Sequence, residues 1–356
     1  MSNSMDTLMN DIHASLNDLI ARASSIYAAH FSSNTSFERA LFMSWYCSKG
    51  DCTFCFMSTQ KSKIKVPAMA KRRVESLVTE ALLCRELGWN IEFLSAGYGA
   101  YREDELLRVL RFIHAAYTKK VWLNIGTLNE KQLQDYAPYI EGVSGSVETL
   151  DPKLHNIVCP SKPLGPIIQT LNTAKTHGYK IGITIIIGLG EDISHFLLLN
   201  DFIIQHNIDR ITFYRLNPHE GTSFTSGPAS EYYARWIALT RIHFPCIEII
   251  AGSWVDRVEE IHLLLQAGAN NITKFPSTSM FNSSFARRIE EEVHLGGRVL
   301  SGTMTKLPSK DWDAVIDELN PAIFDSARKE KIKKRMQSYI KVMTKTKQGK
   351  ITVDEK

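Results

Sequence analysis

The feature that most constrains this chain is a change of period that recurs about eight times: short β-branched runs give way to amphipathic stretches with helical spacing. Strands are expected near residues 40–46, 91–96, 121–125, 142–147, 180–187, 210–216, 247–251 and 271–275. Helices are expected between them, over 68–87, 103–117, 164–178, 193–206, 230–243 and 257–268, with one N-terminal helix over about 5–30. Eight strand–helix units, unbroken by a long linker or a low-complexity segment, predict an α/β fold of the (β/α)8 TIM-barrel type. The expected division is an N-terminal helical segment at 1–38, the barrel at 39–276 and a C-terminal extension with a basic helical tail at 277–356. In such a barrel the chemistry lies where the strands end, so residues just after each strand are the candidates for function.

Composition supports one large core with appendages. Of 356 residues, 44 % are hydrophobic and 22 % charged, a balance that excludes wholesale disorder, collagen and coiled coil. The longest apolar runs, IGITIIIGLG and HFLLLNDFII, fall short of the ~18 residues of a spanning helix, so no membrane association is expected. The N-terminal stretch MSNSMDTLMNDIHASLND lacks a basic region followed by an apolar one, so a cytoplasmic location with reduced thiols is expected. The net charge of +4 is uneven: residues 328–356 hold 11 Lys and Arg against 3 acidic residues, which leaves the body mildly acidic. A solvated, partly helical terminus accounts for that tail, and no nucleic-acid function is inferred, because no other segment interleaves aromatic and basic residues.

Three of the six cysteines crowd into CSKGDCTFC, as Cys47, Cys52 and Cys55, directly after the first strand. In a reducing compartment, thiolates on one short loop bind soft iron or zinc rather than form a disulfide. A structural zinc site closes with four protein ligands, and Cys84 or a histidine would have to supply the fourth here. Three thiolates instead leave one position open, as in an iron–sulfur cluster whose remaining iron receives substrate or cofactor. Phe54, just before the third cysteine, is placed to shield such a cluster.

This loop resembles that of the radical SAM superfamily, whose members bind a [4Fe-4S] cluster through three cysteines after the first barrel strand. The resemblance implies that the fourth iron holds S-adenosylmethionine (SAM), whose reductive cleavage yields a 5′-deoxyadenosyl radical. It also implies a reducing electron donor such as ferredoxin or flavodoxin. The departure is the first spacing, four residues between Cys47 and Cys52 where three are usual, and Gly50 offers the backbone freedom a longer loop needs. Within the superfamily the chain is most similar to biotin synthase and its relatives over about residues 16–276, through LNDLIARASSIYAAHF, NIGTLNEKQL, HNIV, IIIGLGED and AGANNI. Those relatives include methylornithine synthase and hydrogenase-cofactor maturation enzymes.

The resemblance assigns roles residue by residue. Ser95, Ala96, Gly97 and Gly99 match the segment that receives the methionyl amino group, and Glu148 matches an acidic position in contact with SAM. Ile187 and Gly188 in IGLGE, with Asn217, match positions against the adenine, and Lys162 lies near the place of a cation for the SAM carboxylate. Each also has an ordinary reading: the glycines as strand ends, Glu148 as a helix cap, Asn217 with Pro218 as turn chemistry. Where biotin synthase holds a second cluster, this chain has Leu94, Trp122, Gly182 and Ser253, so sulfur insertion is not expected and remains the alternative. A lumen with Trp122, Asn124, Gly182 and Thr184 suits a small polar substrate, which Arg215 is placed to anchor through a carboxylate. Cys159 stands at the mouth as a hydrogen-atom donor, an extra cluster ligand or an inert thiol, and Tyr98, Tyr101, His155, His219 and Glu220 lie on mouth loops. The expected reaction is rearrangement or cleavage of a small precursor in cofactor or unusual amino-acid biosynthesis; a non-catalytic metal-binding barrel is the third reading.

Overall fold

A computed structural model describes residues 2–345, and the last part of the basic tail lies outside the described residues. The chain opens with α1 (Ser2–His13) and α2 (Leu16–His30), then β1 (Asn34–Ser44), α3 (Phe56–Gln60), α4 (Val74–Leu87), β2 (Asn90–Ala96), α5 (Glu103–Tyr117), β3 (Val121–Asn124) and α6 (Glu130–Tyr136). It continues through β4 (Ile140–Glu148), α7 (Pro152–Val158), α8 (Leu164–Thr176), β5 (Lys180–Ile187), α9 (Phe196–His206), β6 (Arg210–Arg215), α10 (Ser230–His243), β7 (Glu248–Gly252) and α11 (Ile261–Gln266). The last elements are β8 (Asn271–Thr273), α12 (Ser284–Leu295), β9 (Val299–Ser301), α13 (Trp312–Asp317) and α14 (Ser326–Met343).

All neighbouring strands run parallel, and β1 closes the ring by pairing with both β2 and β8. The closure with β8 is short, Phe37 to Ile272 and Glu38 to Thr273, because the first three residues of β1 pair instead with the outlying β9. The expected barrel is therefore present and closed, with one strand more than the eight anticipated. Two details differ from expectation. The N-terminal helix is two helices, because Ser15 leaves the helix and caps the next one, its hydroxyl accepting from Asp18 N at 3.2 Å. The helix before β2 begins at Val74 rather than at 68, because residues 71 and 72 run back along β1, where Arg72 N donates to Met43 O.

Amphipathic spacing explains most of the packing. In α5, Leu106, Val109, Leu110, Ile113 and Tyr117 form one buried stripe, each such side chain contributing ~1.5–3 kcal/mol. In contrast, α4 is buried over nine successive residues, Ser76 to Cys84 among them, because α14 covers its outer face. The basic C-terminal helix is thus docked rather than solvated, with Ile332, Met336 and Met343 buried. The bottom of the barrel is filled by charge: Arg210 donates to Glu248 at 2.7 and 3.1 Å and stacks on Trp122 at 4.2 Å, and Asn90 donates to Glu38 at 2.8 Å. No described helix is long and apolar enough to cross a membrane.

Candidate active site at the barrel mouth

The loop after β1 is held against the strand ends by backbone contacts. Ser48 N donates to Tyr98 O at 2.9 Å, Thr53 N to Val158 O at 2.9 Å and Ser223 N to Thr53 O at 3.2 Å. The loop therefore touches the segments following β2, β4 and β6 at once. Gly97 permits this, since a Cβ there would lie 2.4 Å from the Cβ of Cys47. Gly50 adopts φ +50°, in keeping with the longer first spacing of the cysteine loop. Gly99 is also left-handed and lies under Ser48.

All three loop cysteines are free thiols of intermediate exposure. Phe54 packs with Val158, Cys159, Leu189 and Leu216, and Cys52 and Cys55 lie against this apolar patch. Cys159 is buried and hydrogen-bonded to Cys52 through the side chains. That contact lowers the Cys52 thiol, and the Lys162 ammonium opposes its burial; the same contact, with burial, raises Cys159. Burial pushes Cys55 up to about 11. Among the described residues no three Cys, His, Asp or Glu side chains converge as metal ligands, so loading would draw the loop thiols together. The donor set fits an iron–sulfur cluster: three free thiols on one loop, walled by an aromatic and by aliphatic side chains.

Beside the thiols stands a buried ion pair. Lys162 Nζ donates to Glu148 Oε1 at 2.7 Å, and Thr184 Oγ1 lies 3.4 Å from the other carboxylate oxygen. Burial alone would lower Lys162, but Glu148 outweighs it and raises the ammonium. Glu148 closes β4 at φ +67°, a left-handed conformation that costs a non-glycine residue energy and that clusters at functional sites. His155 braces the loop, its two ring nitrogens facing Thr149 O at 3.1 Å and Lys162 O at 2.7 Å. Ser95 and Ala96 are buried at the end of β2. Ile187 is buried at the end of β5, and Gly188, at φ +109°, donates its N–H to the Glu191 carboxylate at 2.7 Å. Asn217 is half-buried just beyond β6. The structure thus brings the cysteines, Phe54, Gly97, Glu148, Lys162 and Cys159 together at one mouth.

Arg215 is differently placed from its expected role. Its Nε donates to Pro228 O at 2.7 Å, and its guanidinium lies 3.6 Å from Glu260, so it ties two outer loops together. Strand parity gives the reason: Tyr214 packs with Phe93 and Trp122 in the lumen, and its neighbour faces away. Ser253 is likewise turned to Arg257 O and Glu260. Trp122 leans over Gly142 and Gly182, whose added Cβ atoms would meet its ring at 2.7 and 3.1 Å, so it fills the lower lumen.

Lumen groups absent from the sequence reading are Glu92, Tyr214 and Lys274. A bulge in the β1–β2 pairing, between Arg39/Ile91 and Ala40/Phe93, leaves Glu92 unpaired in register. Its carboxylate accepts from Thr273 Oγ1 at 2.6 Å and from the Tyr214 hydroxyl. Lys274 follows β8 directly, a position the rule of strand ends marks for function, at φ +77°.

The radical SAM superfamily model matches residues 45–203, which include the cysteine loop and the Glu148–Lys162 pair. Over 341 residues the chain is 39 % identical to an uncharacterized protein of Methanocaldococcus jannaschii, covering 92 % of this chain and 94 % of that one. It is 25 % identical over 267 residues to the biotin synthase of Rhodopseudomonas palustris, covering 72 % and 75 %. The solved structure of methylornithine synthase superposes with a TM-score of 0.69 at 17 % identity, covering 87 % of this chain and 96 % of that one, a likeness of fold. Members of the matched family generally use a four-iron cluster and SAM. With its cysteine loop at the mouth of a closed barrel, the chain belongs to the radical SAM superfamily.

Proposed function

We propose that this chain cleaves SAM reductively at a cluster held by Cys47, Cys52 and Cys55 and applies the resulting radical to rearrange or cleave a small precursor in cofactor or unusual amino-acid biosynthesis. The observation that carries this reading is the meeting, at one barrel mouth, of three free thiols and a buried, strained Glu148–Lys162 pair. The bound cluster would supply the electron that breaks the sulfonium bond. The chain's own residues would do the rest. Lys162 and Glu148 present a cation and an anion that can exchange partners with the carboxylate and the cationic groups of SAM. Ser95, Ala96, Gly97 and Gly99 offer backbone to the methionyl end, and Ile187, Gly188 and Asn217 border the adenine. Phe54 excludes water from the thiols, and Cys159 contributes a wall to that pocket.

Likeness to biotin synthase and methylornithine synthase supports a small-molecule substrate. Trp122 over Gly142 and Gly182 argues against a second cluster in the lumen and hence against sulfur insertion. A reduced, cytoplasmic setting with ferredoxin or flavodoxin as donor suits free thiols and a low-potential cluster. Anaerobic reconstitution should yield about four irons per chain, and the electron paramagnetic resonance signal of the dithionite-reduced protein should change when SAM is added. Stoichiometric zinc, or a signal indifferent to SAM, would count against the proposal.

A further inference from the structure

Resting on the radical SAM reading, we infer that Lys274 is the anchor for a substrate carboxylate, and that the substrate is a small monocarboxylate whose body lies against aromatic rings. Lys274 follows β8 in a left-handed conformation, and its side chain has no hydrogen bond or ion pair among the described residues. Its ammonium lies instead over the ring of Tyr214, 4.3 Å from the centroid, with Phe42 at 5.3 Å and Trp254 at 5.8 Å. Cation–π contacts of this kind hold a charge in place without neutralising it. Gly252 makes the room, since a Cβ there would meet Tyr214 at 2.5 Å and the Lys274 stem at 3.1 Å.

The other cations around the lumen are already engaged. Lys162 is paired with Glu148, Arg210 with Glu248, and Arg215 with Glu260 and Pro228 O. Glu92, the nearby carboxylate, takes its hydrogen bonds from Thr273 and Tyr214 rather than from Lys274; burial raises it, opposed first by the charge of Lys274. A half-buried ammonium with no hydrogen-bonded anion has room for one negative charge, which a carboxylate supplies and a phosphate exceeds. The charges of Glu92, Glu148 and Cys55 all reach the ammonium, so it stands between the lower lumen and the cysteine loop, and an acid anchored on it would lie within reach of the cluster side of the mouth. Burial lowers Lys274, and the charges of Glu92 and Glu148 oppose that shift without cancelling it.

The test uses reconstituted holoenzyme with SAM and three probes, benzoate, benzamide and inorganic phosphate, titrated calorimetrically into wild type, Lys274→Met and Lys274→Arg. Benzoate should bind wild type about tenfold or more tighter than benzamide or phosphate. Lys274→Met should lose that preference and Lys274→Arg should keep it. Should Lys274→Met fail to fold, the wild-type ratio and the arginine variant still decide. Equal affinity for benzoate and benzamide, no benzoate binding, a preference for phosphate, or unchanged binding in Lys274→Met would each overturn the assignment. Formation of 5′-deoxyadenosine by wild type without any probe decides the radical SAM reading separately, so the two ideas fail independently.

Discussion

The flank where α4 meets α14 and the mouth where the cysteine loop meets β4 both bury a glutamate, and they treat it differently. On the flank, Glu80 sits in regular helix and is saturated: Arg39 donates at 2.6 and 3.0 Å, Tyr339 at 2.5 Å, and Arg72 completes the set. These cations outweigh burial and hold its carboxyl down at about 2. At the mouth, Glu148 has one lysine and one distant hydroxyl, in a strained backbone, and Lys274 nearby makes no ion pair among the described residues. The flank spends its polar capacity on joining β1, α4 and the C-terminal helix; the mouth leaves capacity for a ligand. The flank also carries a groove of about 660 Å³ lined by Arg72, Arg73, Lys331, Lys334 and Arg335, on the outside of the barrel where α4 meets α14.

The largest expected effect comes from the mouth. Cys47→Ala, Cys52→Ala or Cys55→Ala should each abolish SAM cleavage and lower bound iron, while thermal melting of the metal-free protein shifts by no more than a few degrees. Retained cleavage in any of them would erase the functional side of the contrast. The flank should respond in stability instead: Glu80→Gln should cost ~3 kcal/mol by denaturant titration, because two arginines lose a buried partner. Its contribution should be fully present above the unfolded carboxyl value of ~4.3 and be lost as pH falls toward about 2. A flat acid limb would show that the network is not ionic in the folded state.

A smaller stability effect should follow Glu148→Gln, ~1–2 kcal/mol, since only one strong partner is lost, together with SAM binding weakened about tenfold. Equal stability losses in Glu80→Gln and Glu148→Gln would blur the distinction between a saturated and an unsaturated site. The smallest change should come from Cys159→Ala, ~1 kcal/mol from a small buried vacancy, with SAM cleavage retained. Loss of cleavage there would promote Cys159 from wall to participant.

Much of this architecture was legible in the residues. The period change marks the eight barrel strands because parallel strands buried on both faces read as compact β-branched runs, as in IGITIII. The start of β1 at Asn34 was hidden because NTSFER is polar but for Phe37, and β9 because its three residues take meaning only from β1 beside them. Docking of α14 could not be read from a helix so rich in lysine; its apolar side chains are few and the mate of Tyr339 is Glu80, far away in sequence. At the mouth, residue type and spacing identified the cysteine loop, and order along the strands brought Glu148, Lys162 and Gly97 to it. Direction was the part that failed. Whether Tyr214 or Arg215 faces the lumen depends on register, and the bulge that exposes Glu92 leaves no mark in composition.

The measurement that tests the central claim most directly is incubation of anaerobically reconstituted protein with SAM and dithionite, with 5′-deoxyadenosine followed by mass spectrometry. The account predicts 5′-deoxyadenosine and methionine in equal amounts from wild type and neither from Cys52→Ala. Intact SAM in the presence of a full complement of reduced iron would contradict it.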